Sequence, residues 1–506
     1  MADDSISFVI VGASGDLARR KVIPALFALY CQGLLPENIR IVGFARSAYT
    51  DAQFRTLVSE YLECRYRTEH SSSARSYAFL EKCFYCQGQY DAGASFVELQ
   101  KFLCRLENGI PASRLYYMAI PPSVFGDVAK SLAAAGMITG KDDPNWSRVV
   151  IEKPFGYDRG SSDILVKETR RAFDESQIFR IDHYLGKEVV QNLFVLRFAN
   201  IVFEPVWNNK YIKCVQITWK EPGGIGARAG YFDEAGIIRD VMQNHLLQIM
   251  AMVAVEPQEK FDGVSFRRRK HELLRSVNPV ALEDLALGQY TGGGRAGARV
   301  PGYREEPGVK PGSLTPTYAA AVLRVNNKRW EGVPFLIRAG KGLDEHVTEI
   351  RIVFRHVEAG PFLPYLKNFA PNELVVRVQP DEEIYLSMIN KVPGLEDKLA
   401  SNKLDLKYAT TFAKPIPDAY ECLLLDVLHG EQGLFIGAPE LEAAWDIFTP
   451  VLREMASSAI EPDPYPCFSR GPDSALRLVE RHGLKWIDQG TQPGIAGTIK
   501  DSGYAG

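Results

Sequence analysis

The segment Ile237-Ile238-Arg239-Asp240-Val241-Met242-Gln243-Asn244-His245-Leu246 puts five polar side chains into an otherwise apolar helical pattern. Buried polar groups are hydrogen-bonded or functional, so this crowding points to a network or a site. A histidine titrates near neutrality and suits removal of a hydroxyl proton, the chemistry open to His245. The same residue also fits a hydrogen-bonded core histidine. A second segment reads Arg180-Ile181-Asp182-His183-Tyr184-Leu185-Gly186-Lys187-Glu188. His183 and Lys187 are four apart and share one face if the segment is helical. With Tyr184 they offer three donors, a reasonable grip for a phosphate dianion. Asp182 points elsewhere and could orient a histidine. A capped helix start with incidental charges fits the same spacing. The third segment, Glu152-Lys153-Pro154-Phe155-Gly156, follows a strand. A lysine in the crevice beyond strand ends can touch cofactor and substrate together, although a solvated loop lysine reads the same way. No HExxH or similar spacing occurs, so no metal is expected.

A fourth segment concerns anions rather than protons. Gly12-Ala13-Ser14-Gly15-Asp16-Leu17-Ala18-Arg19 follows an apolar run directly and opens a helical one. Gly12 allows a tight turn, and Gly15 lets backbone approach a pyrophosphate at the positive end of a helix. The pattern is GxxGDLA, not the usual GxGxxG, and a plain strand-to-helix turn is the competing reading. The next strand ends Gly43-Phe44-Ala45-Arg46-Ser47. It lacks the acid that holds a ribose 2′-hydroxyl, and it supplies Arg46 for a 2′-phosphate. This favours NADP over NAD.

The elements that must position these groups fall into two sets. Up to residue 180, strand and helix signals alternate: 7–11, 17–30, 39–45, 114–120 and 148–151. Such alternation predicts an α/β, Rossmann-like, doubly wound parallel sheet. Beyond it, strand-like runs at 214–220, 320–325, 335–338, 349–354, 374–378 and 383–388 show period-two alternation in several cases. Helical patterns cover 190–199, 237–253 and 439–457. This predicts α+β: a large, mostly antiparallel sheet backed by helices. The expected domains are 1–181 and 182–506. Residues 292–311, rich in Gly, Arg and Pro, read as a loop or mobile connection.

Composition narrows the function classes. With 59 Lys plus Arg against 62 Asp plus Glu in 506 residues, the formal charge is −3. That balance gives no electrostatic reason to expect nucleic acid or an anionic membrane as partner. The N-terminus lacks a basic region, and the densest apolar run, 246–255, is far short of a membrane span, so a cytoplasmic protein is expected. Eight cysteines are sparse, and the one CxxC, Cys83 to Cys86, has no second pair to complete a zinc site. Structural thiols in a reducing compartment are expected, with a redox pair as the alternative.

GASGDLA, EKPFG, RIDHYLGKE and GIIRDVMQNHLLQ, in this order and at these intervals, resemble the glucose-6-phosphate dehydrogenase family. KEPGG, RAGK and PDAYE extend the resemblance over nearly the whole chain. The resemblance implies oxidation of D-glucose 6-phosphate at C1 to 6-phospho-D-glucono-1,5-lactone, with NADP+ reduced, the first step of the oxidative pentose phosphate pathway. It implies His245 as general base with Asp182 as its carboxylate partner, and phosphate contacts at His183, Tyr184 and Lys187. It further implies sugar-hydroxyl contacts at Glu221 and Asp240, Lys153 bridging cofactor and sugar, and Lys341 as another substrate contact. Two departures stand out: His346 where many members carry Lys or Arg, and Phe125 after Pro121-Pro122 where the family has Tyr. A homodimer or homotetramer built on the C-terminal sheet is implied. Some eukaryotic members bind a second, structural NADP, with matching positions at Arg338, Arg351, Arg377, Tyr385, Asp418 and Arg470. Val347 and Ser387 replace lysines there, so a second NADP is expected to be absent or weakly held.

Overall fold

The computed structural model describes residues 5–63, 72–140, 142–258, 260, 262–295, 298–360, 362–366, 369–395, 398–412, 414–488 and 497–498. The chain packs as two compact units. The first comprises Met1–Glu188, Pro257–His271 and Pro417–Trp445; the second comprises Val189–Glu256, Glu272–Ile416 and Asp446–Gly506. A single boundary at 181/182 does not describe this arrangement. The apolar face of the helix Ala419–His429, with Leu423, Leu424 and Val427, completes the core of the first unit.

In the first unit, β1 (Ile6–Val11), β2 (Ile39–Ala45), β3 (Cys83–Gln87), β4 (Ser113–Met118), β5 (Ser147–Ile151) and β6 (Ile178–Arg180) form one sheet in the order β3-β2-β1-β4-β5-β6. Every pairing is parallel. Parallel strands are covered on both faces, which is why β1 and β4 read as unbroken buried runs. The order reverses between β1 and β4, so a crevice opens beyond their carboxyl ends, where Gly12 and Ala119 follow. Sequence patterning missed β3 and β6. Cys83 and Cys86 sit three apart on β3 and therefore point to opposite faces, which precludes pairing between them. Burial pushes the Cys83 thiol up to about 12 and the Cys86 thiol up to about 11, the opposite of an activated redox pair.

In the second unit, β7 (Ile212–Lys220), β8 (Leu285–Thr291), β11 (Tyr318–Arg324), β12 (Pro334–Gly340), β13 (Val347–Phe354), β14 (Glu373–Gln379), β15 (Glu383–Lys391), β16 (Lys398–Lys407), β17 (Asp463–Pro466) and β18 (Gly497–Thr498) build a ten-stranded sheet. Its order is β17-β8-β11-β12-β7-β13-β14-β15-β16-β18. The sheet is mostly antiparallel, as expected, but β12–β7 and β17–β8 run parallel. The helix Leu247–Ala254 is buried all round. The Gly-rich stretch expected as a loop contains a ribbon of β9 (Gly293–Arg295) and β10 (Ala298–Val300). Tyr303, just beyond it, is buried and donates to Asp233 at 2.8 Å.

Candidate active site

Gly12 leaves β1 with φ +95° and donates its N–H to the Phe44 carbonyl at 2.8 Å. A Cβ at this position would stand 2.2 Å from the Ala119 carbonyl oxygen, so only glycine fits. The Gly15 N–H closes the turn on the Gly12 carbonyl at 2.9 Å, and the helical run begins at Asp16. Gly15 and Asp16 are exposed, whereas Ala13 and Ala18 are buried and Leu17 packs on the core. The turn therefore shows its backbone to solvent at a helix N-terminus, a cradle suited to a nucleotide diphosphate. Ser14 Oγ lies 3.4 Å from Ser47 Oγ. Arg46, just beyond β2, is exposed, with its guanidinium 5.5 Å from the Tyr90 ring centroid. Arg19 turns instead to Tyr61 and Glu60, and Lys21 to Asp418. Phe125 is buried in the core at the start of the helix Phe125–Ala134 and presents no ring for stacking.

Beyond β5, Glu152 is buried and accepts from the Tyr117 hydroxyl at 2.5 Å. Burial pushes its carboxyl up, against hydrogen bonds from Tyr117 and Tyr420 and the charge of Lys153. Lys153 is half-buried. The turn after it is fixed from two sides. Gly156 has φ +93° and leaves no room for a Cβ against Ser162, and Trp445 Nε1 donates to the Phe155 carbonyl at 3.0 Å.

The Asp182–Lys187 segment is not helical, contrary to the reading that put His183 and Lys187 on one helical face. Successive N–H groups of Leu185, Gly186 and Lys187 bond to the carbonyls three residues back, at 3.0, 3.1 and 3.2 Å. Buried Asp182 accepts from the Tyr184 N–H at 3.0 Å, an Asx turn that opens the run. With a three-residue period, residues i and i+3 align, which places Lys187 beside Tyr184. The Lys187 ammonium stands 5.3 Å from the Tyr184 ring centroid. The His183 ring stacks on Tyr420, 6.2 Å between centroids and 9° between planes. The turn is pressed onto the helix Ala419–His429, since a Cβ on Gly186 would meet the Ala419 carbonyl at 2.5 Å. Sequence reading missed Glu152, Tyr117 and Tyr420 as parts of this cluster. Two of them lay inside motifs already noticed, EKPFG and PDAYE.

In the second unit, the expected continuous helix over 237–253 is interrupted. Gly236 takes φ +67° and ψ 170°, and Ile238–Leu246 then follows a π-helical, i→i+5 pattern before the α-helix resumes at Leu247. Residues five apart thus come to one side, Asp240 with His245, and such widened turns recur at functional sites. Both side chains are buried. Asn244 donates to the Arg239 carbonyl at 3.0 Å and accepts from the His245 N–H at 2.7 Å. Arg228 reaches Asp240 at 3.4 Å.

Glu221 and Lys341 follow β7 and β12. These strands are parallel with Lys220 opposite Gly340, so the next residues of each emerge side by side. Lys341 Nζ donates to Glu221 Oε2 at 2.6 Å and stands 5.0 Å from the Trp219 ring centroid. Its carbonyl accepts from Tyr465 at 2.6 Å. His346 is exposed, on the turn before β13. Asp418, expected among the residues of a second nucleotide site, belongs to the first unit and caps the helix Ala419–His429 there.

Comparison with known proteins adds family context. The chain matches the model of the glucose-6-phosphate dehydrogenase NAD binding domain over residues 9–192 and that of the C-terminal domain over 194–487. It is 47% identical to glucose-6-phosphate 1-dehydrogenase 1, chloroplastic, of Arabidopsis thaliana, with 96% of this chain and 84% of that protein covered. It is 45% identical to glucose-6-phosphate 1-dehydrogenase of Dictyostelium discoideum, with 95% and 94% covered. A solved glucose-6-phosphate dehydrogenase in complex with its substrate glucose 6-phosphate superposes with a TM-score of 0.89 at 38% identity, covering 96% of this chain and 99% of that one. The Mycobacterium avium glucose-6-phosphate 1-dehydrogenase gives 0.80 at 33% identity, with 96% and 99% covered. The chain belongs to the glucose-6-phosphate dehydrogenase family.

Proposed function

We propose that this protein oxidises β-D-glucose 6-phosphate at C1 to 6-phospho-D-glucono-1,5-lactone and reduces NADP+ to NADPH, the first step of the oxidative pentose phosphate pathway. The observation that carries this reading is family membership across both domains, with the motif residues intact at their positions. Bound NADP+ supplies the hydride acceptor. His245 Nε2 or Nδ1 takes the C1 hydroxyl proton, and Asp182 holds the imidazole and stabilises its charge. His183, Tyr184 and Lys187 hold the phosphate through charge-assisted bonds. Glu221 and Asp240 accept from sugar hydroxyls, and Lys341 donates to the substrate. Lys153 bridges sugar and cofactor. The Gly12–Arg19 turn cradles the pyrophosphate, and Arg46 reads the 2′-phosphate.

The same reading includes a homodimer or homotetramer, no nucleic-acid or membrane partner, and a cytoplasmic location. Among the described residues no helix is long and apolar enough to cross a membrane. Several relatives carry "chloroplastic" in their names, so fractionation of the source cell tests the location. The activity is tested by following absorbance at 340 nm with glucose 6-phosphate or glucose, each with NADP+ or NAD+. The expected result is turnover with glucose 6-phosphate, fastest with NADP+. Equal rates with unphosphorylated glucose would overturn the proposed phosphate pocket.

A further inference from the structure

The second unit buries a cationic pair on its sheet. The Lys220 ammonium, at the end of β7, is wholly inaccessible (0% exposed), and the Arg338 guanidinium, on β12, is nearly so. Lys220 Nζ contacts Asp488 Oδ1 at 2.9 Å, Glu345 Oε1 at 3.0 Å and Asp344 Oδ1 at 3.1 Å. An ammonium has three N–H donors, and all three are taken. Arg338 contacts the same Asp488 oxygen at 2.5 Å, gives its Nε–H to Thr218 at 3.0 Å, and stacks over Trp486 at 4.3 Å.

Asp488 is carried there by a short strap. Gln216 of β7 donates to the Lys485 carbonyl at 2.9 Å and accepts from the Ile487 N–H at 3.1 Å. Trp486 is buried and donates to the Ala475 carbonyl at 2.9 Å. The strap is therefore pinned on both sides of its tryptophan, and the carboxylate reaches the cations with fixed geometry.

This arrangement does not fit the second nucleotide that some relatives of the family hold in this domain. The other arginines at the matching positions are likewise engaged. Arg351 pairs with Glu349 at 2.6 Å and Glu373 at 2.7 Å, and Arg377 with Glu383 at 3.2 Å. Around Lys220 and Arg338 stand three carboxylates, with exposed Arg470 3.7 Å from Asp344 at the rim. An incoming phosphate would meet a site already neutral and without a spare ammonium proton.

We propose that Asp488 is an internal anionic ligand that closes this site, and that withdrawing its charge opens a phosphate- or pyrophosphate-binding site on Lys220 and Arg338. The full-length protein is dialysed against NADP+. One NADP+ per subunit is expected, and two would overturn the proposal. Thermal melting is then followed with inorganic pyrophosphate as probe, glucose 6-phosphate saturating the sugar site. The wild-type response, which includes any pyrophosphate held by the Gly12–Gly15 turn, sets the baseline that the variant must exceed. The Asp488→Asn protein is expected to melt lower in pyrophosphate-free buffer and to recover several degrees as pyrophosphate is added, because ligand that binds only the folded state raises stability. Equal responses of both proteins would overturn it. Asp488→Ser serves if the asparagine variant does not fold, with the same two outcomes.

Discussion

Asn244 donates its side-chain amide to the backbone carbonyl of Arg239, five residues earlier and 3.0 Å away. Five is the hydrogen-bond period of the whole Ile238–Leu246 stretch, where Leu247 likewise reaches back to Met242. At the ordinary helical pitch, Asp240 and His245 would be turned roughly 140° from one another. The widened turn brings them to one side, the arrangement that the proposed roles of His245 and Asp240 require.

His245→Asn is expected to fold and to lose roughly 10²–10⁴ in kcat, the usual worth of a positioned base, with little change in glucose 6-phosphate affinity. Asp182→Asn should fall less. Stopped-time NADPH production on protein with a wild-type melting curve checks this. Near-normal turnover in His245→Asn would remove His245 from the mechanism.

Lys187→Ala is expected to raise KM for the sugar phosphate by about ten- to a hundred-fold, since a charge-assisted phosphate contact is worth roughly 1.5–3 kcal/mol. The NADP+ KM should not move. Initial-rate grids in both substrates separate the two. A change in NADP+ KM alone would place Lys187 on the cofactor side.

Lys341→Ala leaves the Glu221 carboxylate without its 2.6 Å partner. If Lys341 touches the sugar as proposed, the variant loses that contact as well as the orientation of Glu221, and kcat/KM is expected to drop further than in Lys187→Ala. Lys341→Arg should recover only part, because a planar fork does not replace an ammonium beside Trp219. Full activity in Lys341→Ala would show that the pair is structural.

Arg46→Ala is expected to lower the NADP+/NAD+ ratio of kcat/KM while leaving NAD+ use nearly unchanged. Its guanidinium is exposed over Tyr90 beside Ser47, whereas Arg19 and Lys21 are engaged with other side chains. An unchanged ratio would transfer the 2′-phosphate contact to another residue.

Burial alone would raise the Asp488 carboxyl, but Arg338 and Lys220 outweigh it and hold it down from 3.8 to about 2. A depressed acid stabilises the fold above its unfolded value, and that share is lost as the pH falls through its folded value. The window is therefore about pH 4 down to 2, and the shift corresponds to roughly 2 kcal/mol. Asp488→Asn should flatten the acid limb of a urea-midpoint profile in that window. The same slope in both proteins would mean that another carboxylate carries it.

Much of this was legible beforehand for physical reasons. Strands such as β1, β2 and β13 announce themselves through long apolar or alternating runs, and the glycine turn after β1 needs Gly12 for space as well as for φ. β16 was not legible, because KLASNKLDLK mixes polar and apolar residues on both faces and half of it is exposed. β8 was hidden by its central glycine. At the site, residue identity was readable but local conformation was not. His183 and Lys187 have helical spacing, yet Asp182 caps a tighter turn that Gly186 presses onto a neighbouring helix. Nothing in the spacing of Asp240 and His245 signals an i→i+5 turn. Tyr420 escaped because its partners, His183 and Glu152, lie more than two hundred residues away in sequence.

The interleaving of the first unit bears on how the protein is made. Its core includes Leu423, Leu424, Val427 and Phe435 alongside Phe8, Leu26 and Phe27. A ribosome that has delivered Glu188 has delivered every strand of the six-stranded sheet, yet one flank of that sheet's helical layer waits for Trp445. At roughly 5–20 residues per second the wait is on the order of tens of seconds. During it the nascent chain carries an uncovered apolar flank that invites chaperone binding, and a gene fragment ending at codon 188 would leave that flank uncovered permanently.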